Sequence, residues 1–436
     1  MRSGTLLAYN NVEFCDKGRY MSIAAQELND AIPITQSTTR ASDAPLPARV
    51  LRNVLSLDDF EAPARRTIPR PIFAYIKSGA EREDSMRGNR AAYEALAFLP
   101  KTLVNTGERT QKTTLFGRTY DAPFGVSPMG GISLGAYQGD IVMARSTSAA
   151  NIPMILSGAA LTTLEKVKEA GPTAWFQAYI PGDDAEITRL VDRVARAGYE
   201  TLVVTVDVAV SANLEFSLRS GFRKPFRPTP RFIWDVLMRP RWLTGMFLRT
   251  LLLHGMPHVE NMGPRSPMIS RNADRPRGGL DRLCWPHLTL IRRLWKGNLV
   301  LKGVLNKHDV KIAREAGVNG IIVYSHGGRQ LDGAIAPLRV LPGIVAEAGD
   351  MTIMIDSGIR RGTDVLKALA LGAKFAFVGR PFLYAAAIAG DEGVAYAIRI
   401  LRGEIHRDMA LLGVNAIAEV TRERLVRANQ FDGFGP

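Results

Sequence analysis

Cysteine is nearly absent from this 436-residue chain. Cys15 and Cys284 are the only two. They fit neither a disulfide framework nor a metal-ligand spacing, so a reducing, cytoplasmic setting without a metal site is expected. Long apolar runs are missing as well. The first residues, Met-Arg-Ser-Gly-Thr-Leu-Leu-Ala-Tyr-Asn-Asn, lack the apolar centre of a signal peptide, and no uninterrupted apolar stretch reaches membrane-spanning length. A Gly-x-Gly-x-x-Gly fingerprint is also lacking, which counts against a dinucleotide-binding sheet. Acidic residues are the minority, 42 against 56 Lys and Arg, for a net charge of +14. Neither a nucleic-acid-binding motif nor regularly spaced stacking aromatics accompany that excess, so no nucleic-acid partner is expected. Anionic lipid and acidic metabolites stay open as partners.

What is present is a soluble globular composition, 46% apolar and 22% charged. Residues 1–47 are polar and rich in Ser and Thr, and read as a flexible N-terminal extension. From residue 48 the pattern changes. A helical N-terminal segment, capped near Ser56 or Asp58 and including Pro71 to Ser78, leads into a regular alternation. Strands are predicted at Phe124 to Ser127, Met154 to Ser157, Ala174 to Tyr179, Thr201 to Val206, Leu299 to Lys302, Gly320 to Tyr324, Thr352 to Asp356 and Phe375 to Val378. Amphipathic helices such as Ala185 to Ala197, His308 to Ala316 and Thr363 to Leu371 lie between them. Eight such units predict an α/β fold, a (β/α)8 TIM barrel over residues 48–430, with a long basic insertion at 212–285 after the fourth strand. An open doubly wound sheet is the alternative.

Active-site groups of a barrel sit at the C-terminal ends of its strands. The sixth strand ends in Tyr324-Ser325-His326-Gly327-Gly328-Arg329-Gln330-Leu331-Asp332-Gly333. His titrates nearest neutrality and Arg offers a planar fork for carboxylates, so this exit loop can supply a base and an anion clamp. The other strand ends carry Pro128-Met129-Gly130, Ser157, Gln177, Tyr179, Thr205, Asp207, Lys302, Asp356 to Arg360 and Gly379-Arg380. Two Gly-Arg loops on adjacent strand ends suit a phosphate. A charge on Lys302, at the end of an apolar strand, needs a partner.

The string His-Gly-Gly-Arg-Gln-Leu-Asp-Gly resembles the signature of the FMN-dependent α-hydroxy-acid oxidases and dehydrogenases, and the resemblance runs over roughly residues 50 to 425. Ser78-Gly79-Ala80-Glu81 and Asn89-Arg90-Ala91-Ala92-Tyr93 resemble the family's N-terminal region. The resemblance implies FMN as cofactor. Lys302 would face the pyrimidine edge of the flavin, Ser157, Gln177 and Thr205 would hydrogen-bond the ring, and Pro128, Met129 and Gly130 would lie against it. Tyr324, Asp356, Gly358, Arg360, Gly379 and Arg380 would complete the cofactor site. It implies His326 as catalytic base, Asp207 as the carboxylate that holds it, Tyr179 on the substrate oxygen and Arg329 on the substrate carboxylate. Hydride and carbanion routes for this chemistry are equally open.

The resemblance breaks at the substrate clamp. Seven residues after Asp207, where the family has an Arg, stands Leu214, and the family's N-terminal Tyr is matched to Phe73. Tyr324-Ser325 replaces a Ser-Asn pair. Losing charge-assisted hydrogen bonds to a carboxylate costs on the order of 2 to 3 kcal/mol each. The substrate is therefore expected to be a bulky or modified 2-hydroxy acid or biosynthetic intermediate, or else a non-acid amine, alcohol or ester. A flavin barrel that binds without turnover is the reading from another class.

The insertion carries 13 Lys or Arg against 5 Asp or Glu over 212–285, a net +8. Its centre, Arg239 to His254, mixes large apolar residues with arginines, the composition of a segment that lies in a lipid interface or lids the barrel mouth. It resembles the loop of the mandelate-dehydrogenase-like branch, which implies membrane-surface contact through 222–262 and a peripheral location. Oxygen or quinone is the expected electron acceptor, and a homo-oligomer, a tetramer by resemblance, is the expected assembly.

Overall fold

The computed structural model describes residues 48–222, 229–263, 265–267 and 279–428. The expected extension over 1–47, and residues 223–228, 264 and 268–278 of the basic insertion, lie outside them. Eight parallel strands make one sheet: β1 (Phe124–Val126), β2 (Ile155–Ser157), β3 (Trp175–Ala178), β4 (Thr201–Thr205), β5 (Asn298–Val304), β6 (Gly320–Val323), β7 (Thr352–Asp356) and β8 (Phe375–Val378). Hydrogen-bonded neighbours run β1-β8-β7-β6-β5-β4-β3-β2. A parallel bridge from Val126 to Met154, with the Val126 N–H donating to the Pro153 carbonyl at 2.9 Å, joins the two ends and closes the barrel. Gly125 makes that seam possible, because a Cβ there would stand 2.4 Å from the Pro153 oxygen. The open doubly wound alternative is thereby excluded.

All eight strands fall where the apolar runs place them, and the differences are at the ends. β5 continues past Lys302 to Val304 because a bulge at Gly303 carries the pairing with β6 onward. Residues inside the barrel, among them Ile155, Trp175, Val203, Val300, Ile322, Met354, Phe375 and Phe377, form a core of their own. A hairpin, Thr113–Leu115 with Arg118–Tyr120, plugs the N-terminal end of this core. Its Phe116 and Tyr120 rings stand 5.7 and 5.9 Å from Trp175 and Phe375, the first residues of their strands. With the bottom sealed by side chains, the barrel is open at its C-terminal mouth among the described residues.

Two helices, α1 (Arg70–Lys77) and α2 (Asp84–Glu94), cover part of that mouth. Their connection docks on the exit loop of β6: the Ala80 N–H donates to the Gly328 carbonyl at 2.8 Å, and the Ser85 N–H to Asp332 Oδ1 at 2.8 Å. Asp332 of the motif is thus a cap for α2. Gly328 has a φ of +75°, and a Cβ on it would lie 2.5 Å from the Met86 nitrogen. A Gly328→Ala variant is expected to lose roughly 2 kcal/mol or more of stability through this overpacking and the left-handed backbone. Thermal denaturation reads it, and an unchanged midpoint would contradict the docking described.

Within the insertion follow α3 (Glu215–Arg219), α4 (Pro230–Leu237) and α5 (Arg249–His254), and after β8 the long α6 (Arg380–Leu412), whose helical backbone is interrupted at Ala389 and Gly390.

Candidate active site

A cavity of about 450 Å³ opens at the C-terminal mouth. It is bordered by the exit loops of β1, β4, β6, β7 and β8, by α1 and by α3. The residues that line it include Pro128, Met129, Gly130, Tyr179, Leu214, Tyr324, His326, Arg329, Asp356, Gly358, Arg360, Gly379 and Arg380. Ser157, Gln177 and Thr205 on β2 to β4, Lys302 on β5 and Asp207 just past β4 are not among these lining residues.

His326 is held in the left-handed region, with φ +55°. Its Nδ1 lies 3.1 Å from Asp207 Oδ1, and both side chains are mostly buried. A ring that donates from Nδ1 to this carboxylate keeps the lone pair of Nε2 free. The rings of Tyr324 and Tyr179 flank it, at 5.2 and 6.5 Å between centroids. Asp207 Oδ2 has no hydrogen-bond partner among the described residues.

Lys302, 1% exposed, meets Asp356 Oδ2 at 2.6 Å, and Ser127 Oγ donates to the same oxygen at 2.5 Å. The ammonium also stands 2.8 Å above the centre of the Tyr324 ring. Burial lowers the pKa of Lys302, and the Asp356 and Asp207 carboxylates pull it back only in part. The floor continues with Ser157 Oγ donating to Gln177 Oε1 at 3.1 Å. Gln177 is fully buried, and its Nε2 is unpartnered among the described residues.

The third group is cationic. Arg380 donates from Nη2 to the Gly327 carbonyl at 3.0 Å and from Nε to the Ile76 carbonyl at 3.2 Å. Arg329 donates to the carbonyls of Ile76 and Ser78 at 3.1 and 2.5 Å. Burial, with Arg329 and Arg360 as like-charged neighbours, pushes Arg380 down to about 10. Arg360 is lowered by burial, and its carboxylate partner is Asp58 at 3.3 Å. Three guanidiniums so placed favour an anion among them.

One expected site residue is elsewhere. Phe73 stacks on Tyr384 at 5.6 Å, is buried, and does not line the cavity. Tyr75, two residues later on α1, lines it instead. Positions two apart on a helix point about 200° apart, so only one of them can face the mouth. Tyr75 stacks on Phe222 at 4.5 Å, and the Arg329 guanidinium lies 5.1 Å from its ring centre. The N-terminal Tyr is therefore present in the site, and the polar wall is short of one group, at Leu214, rather than two. Sequence reasoning also missed Ser127 and the Asn89–Ser325–Ser357 hydroxyl-amide cluster under the His326 loop, joined at 3.0 and 3.3 Å.

The family model described as FMN-dependent dehydrogenase matches residues 64–427. The chain belongs to that family. Among curated relatives, the L-lactate dehydrogenase of Pseudomonas entomophila (strain L48) is 34% identical over 382 residues, covering 85% of this chain and 97% of its own. That of Bartonella quintana (strain Toulouse) is 34% identical over 381 residues, with the same coverage. Among solved structures, monotopic membrane protein (S)-mandelate dehydrogenase superposes with a TM-score of 0.80 at 31% identity, covering 86% of this chain and 100% of its own. An arginine-to-leucine variant of mandelate oxidase with 2-hydroxy-phenylacetamide superposes at 0.71 and 31% identity, covering 85% and 98%.

This FMN-dependent dehydrogenase is an α-hydroxy-acid oxidoreductase, and its cavity fits the cofactor. A buried Gln177 amide without a partner costs about 1–3 kcal/mol unless a ligand satisfies it, and a flavin ring edge offers such acceptors. Lys302 supplies fixed positive charge at the same floor. Arg360 and Arg380 beside Gly358 and Gly379 would hold its phosphate at the β7 and β8 loops, where barrels commonly bind one.

Proposed function

We propose that the enzyme oxidises the hydroxyl carbon of a 2-hydroxy acid or modified 2-hydroxy acid with a large apolar substituent, with His326 as base. The Asp207–His326 pair at the cavity wall carries this reading. Asp207 orients the ring and stabilises the imidazolium that forms once Nε2 has taken the substrate proton. Tyr179 donates to the substrate oxygen, and Arg329 with Tyr75 holds the carboxyl end. Ser157, Gln177, Thr205 and Lys302 hold the flavin ring, with Tyr324 under it and the backbone of Pro128, Met129 and Gly130 against its face. Asp356, Gly358, Arg360, Gly379 and Arg380 hold the remainder and the phosphate. Bound FMN supplies a two-electron acceptor.

Substrate size follows from the outer wall, where Val208, Val210, Leu214, Leu218, Phe222 and Met262 surround the space beside His326. Each buried methylene there contributes about 0.8 kcal/mol to binding. Catalytic efficiency is expected to rise by an order of magnitude or more from lactate to mandelate and larger aryl 2-hydroxy acids. Steady-state kinetics on such a series tests it, and lactate as the best substrate would refute the apolar wall as a specificity element. The mandelate oxidase variant seen with 2-hydroxy-phenylacetamide, the amide of mandelic acid, keeps neutral derivatives within this range.

The enzyme also works at a membrane surface, in this reading. Ile233, Trp234, Leu237 and Met238 on and beside α4, and Leu252 and Leu253 on α5, are each more than half exposed, with Arg231, Arg241 and Arg249 among them. Apolar side chains interleaved with arginine suit an anionic lipid interface. Among the described residues no helix is long and apolar enough to cross a membrane. Flotation with anionic liposomes is expected to carry the native enzyme upward and to leave Trp234→Glu/Leu252→Glu in the aqueous fraction. Equal recovery of both would contradict the surface. A bilayer quinone is then the fitting electron acceptor, and faster reoxidation by air than by quinone would argue for oxygen.

A further inference from the structure

Leu214 and Ser217 stand three residues apart at the start of α3, and both line the cavity. Positions so spaced share a face. Ser217 is 2% exposed, and its Oγ is buried without a hydrogen-bond partner among the described residues. The usual refuge of a helical serine is the carbonyl four residues back. Here the Asn213 carbonyl accepts from the Glu81 N–H at 2.9 Å, and Ser217 Oγ makes no bond to it. Its wall neighbours Leu214, Leu218 and Phe222 offer nothing polar. An unsatisfied buried hydroxyl costs stability unless a ligand pairs with it. Among the described residues, Leu214, Ser217, Leu218 and Phe222 bring no cation to this wall. Arg329, the nearest guanidinium of the substrate end, is shared between two backbone carbonyls and the face of Tyr75.

An ionised carboxylate laid against this wall would be desolvated beside leucines with one guanidinium to answer it. A neutral acyl group meets the wall without that penalty, and a hydroxyl can donate to its carbonyl or accept from an amide N–H. Resting on the proposed 2-hydroxy-acid chemistry, we propose that the preferred substrate is a neutral 2-hydroxyacyl derivative, an amide or ester, read by Ser217 Oγ against the Leu214 wall. The step is unchanged in its balance. The α-C–H and O–H bonds break and a C=O bond forms. One proton goes to His326, the other hydrogen and two electrons go to FMN, and a 2-oxo amide or ester is released.

The test pairs mandelate with its amide and its methyl ester in the FMN-loaded enzyme. A neutral derivative is expected to give a kcat/KM at least tenfold above mandelate, and Leu214→Arg to reverse the order. Ser217→Ala is expected to lower kcat/KM for that derivative by about tenfold, the loss of one hydrogen bond to a satisfied group, mostly through KM, and to change mandelate less than twofold. Flavin content measured on each variant separates misfolding from lost recognition, and Leu214→Arg carries the test should Ser217→Ala fold poorly. Mandelate preferred by the native enzyme overturns this inference and leaves the proposed function standing. Equal effects of Ser217→Ala on acid and neutral substrates overturn the role of Ser217. No turnover of any of the three, with FMN bound, overturns both.

Discussion

A His326→Gln variant is expected to reduce its flavin roughly 10²- to 10⁴-fold more slowly than the native enzyme, the contribution typical of a positioned general base. It is expected to keep its FMN, because His326 contributes neither to the Lys302–Asp356 floor nor to the arginine cluster. Rapid mixing of enzyme and substrate without oxygen reads the rate, and flavin absorbance before mixing reads the occupancy. Asp207→Asn should follow in the same direction, since the partner that orients Nδ1 at 3.1 Å would no longer be a carboxylate. Loss of flavin in His326→Gln would instead make the residue part of the cofactor site.

Lys302→Met has the largest expected effect on the protein itself. It leaves Asp356 buried at 5% exposure, with Ser127 Oγ and the Ser357 N–H as its remaining hydrogen-bond partners among the described residues. Removing one partner of a buried ion pair costs about 3–5 kcal/mol. The variant is expected to unfold at clearly lower denaturant and to bind FMN weakly, because the fixed positive charge at the floor is gone. A related pH effect has a definite sign. Burial holds the Lys302 pKa below its usual value, so the charge is lost on the alkaline side before exposed lysines titrate near 10.4. Flavin reduction should therefore decline with rising pH in the native enzyme earlier than ordinary lysine titration would cause. Unaltered stability in Lys302→Met would contradict the role given to the Lys302–Asp356 pair.

Much of this is legible in the sequence. Apolar runs of four to six residues, bounded by Gly-ended helices, placed all eight strands because a strand buried on both faces needs continuous β-branched and aromatic residues. Strand ends then placed Lys302, Asp207 and His326 at one mouth, since every parallel strand delivers its last residues to the same side. Eight units predicted a closed barrel, but the seam that closes it was not legible. It depends on Gly125 tolerating the Pro153 carbonyl, a contact between strands whose register no local pattern reports. Phe73 was misplaced for a similar reason. Phe73 and Tyr75 both suit an amphipathic helix, and the choice between them is made by how α1 is rotated on the barrel, which the Arg329 bonds to Ile76 and Ser78 decide. Ser217 escaped notice because nothing in a single hydroxyl distinguishes a satisfied serine from an orphaned one until its neighbours are known.

Tyr324 shows how a departure from a motif becomes readable only in three dimensions. In sequence it is a large residue where the family resemblance has a small one. In the structure its ring touches both pairs, with the Lys302 ammonium 2.8 Å from its centre and the His326 ring at 5.2 Å. A buried ammonium over an aromatic face gains attraction that water would otherwise screen. The substitution therefore leaves the Lys302–Asp356 ion pair and the Asp207–His326 hydrogen bond intact.

The most direct test of the central claim is anaerobic titration of the purified, FMN-loaded enzyme with mandelate and with its amide, followed by flavin absorbance. The account predicts that the visible flavin band bleaches in a single fast phase with at least one of them, and that lactate bleaches it far more slowly. A flavin that stays oxidised with all three, in a protein whose FMN is fully bound, would contradict it.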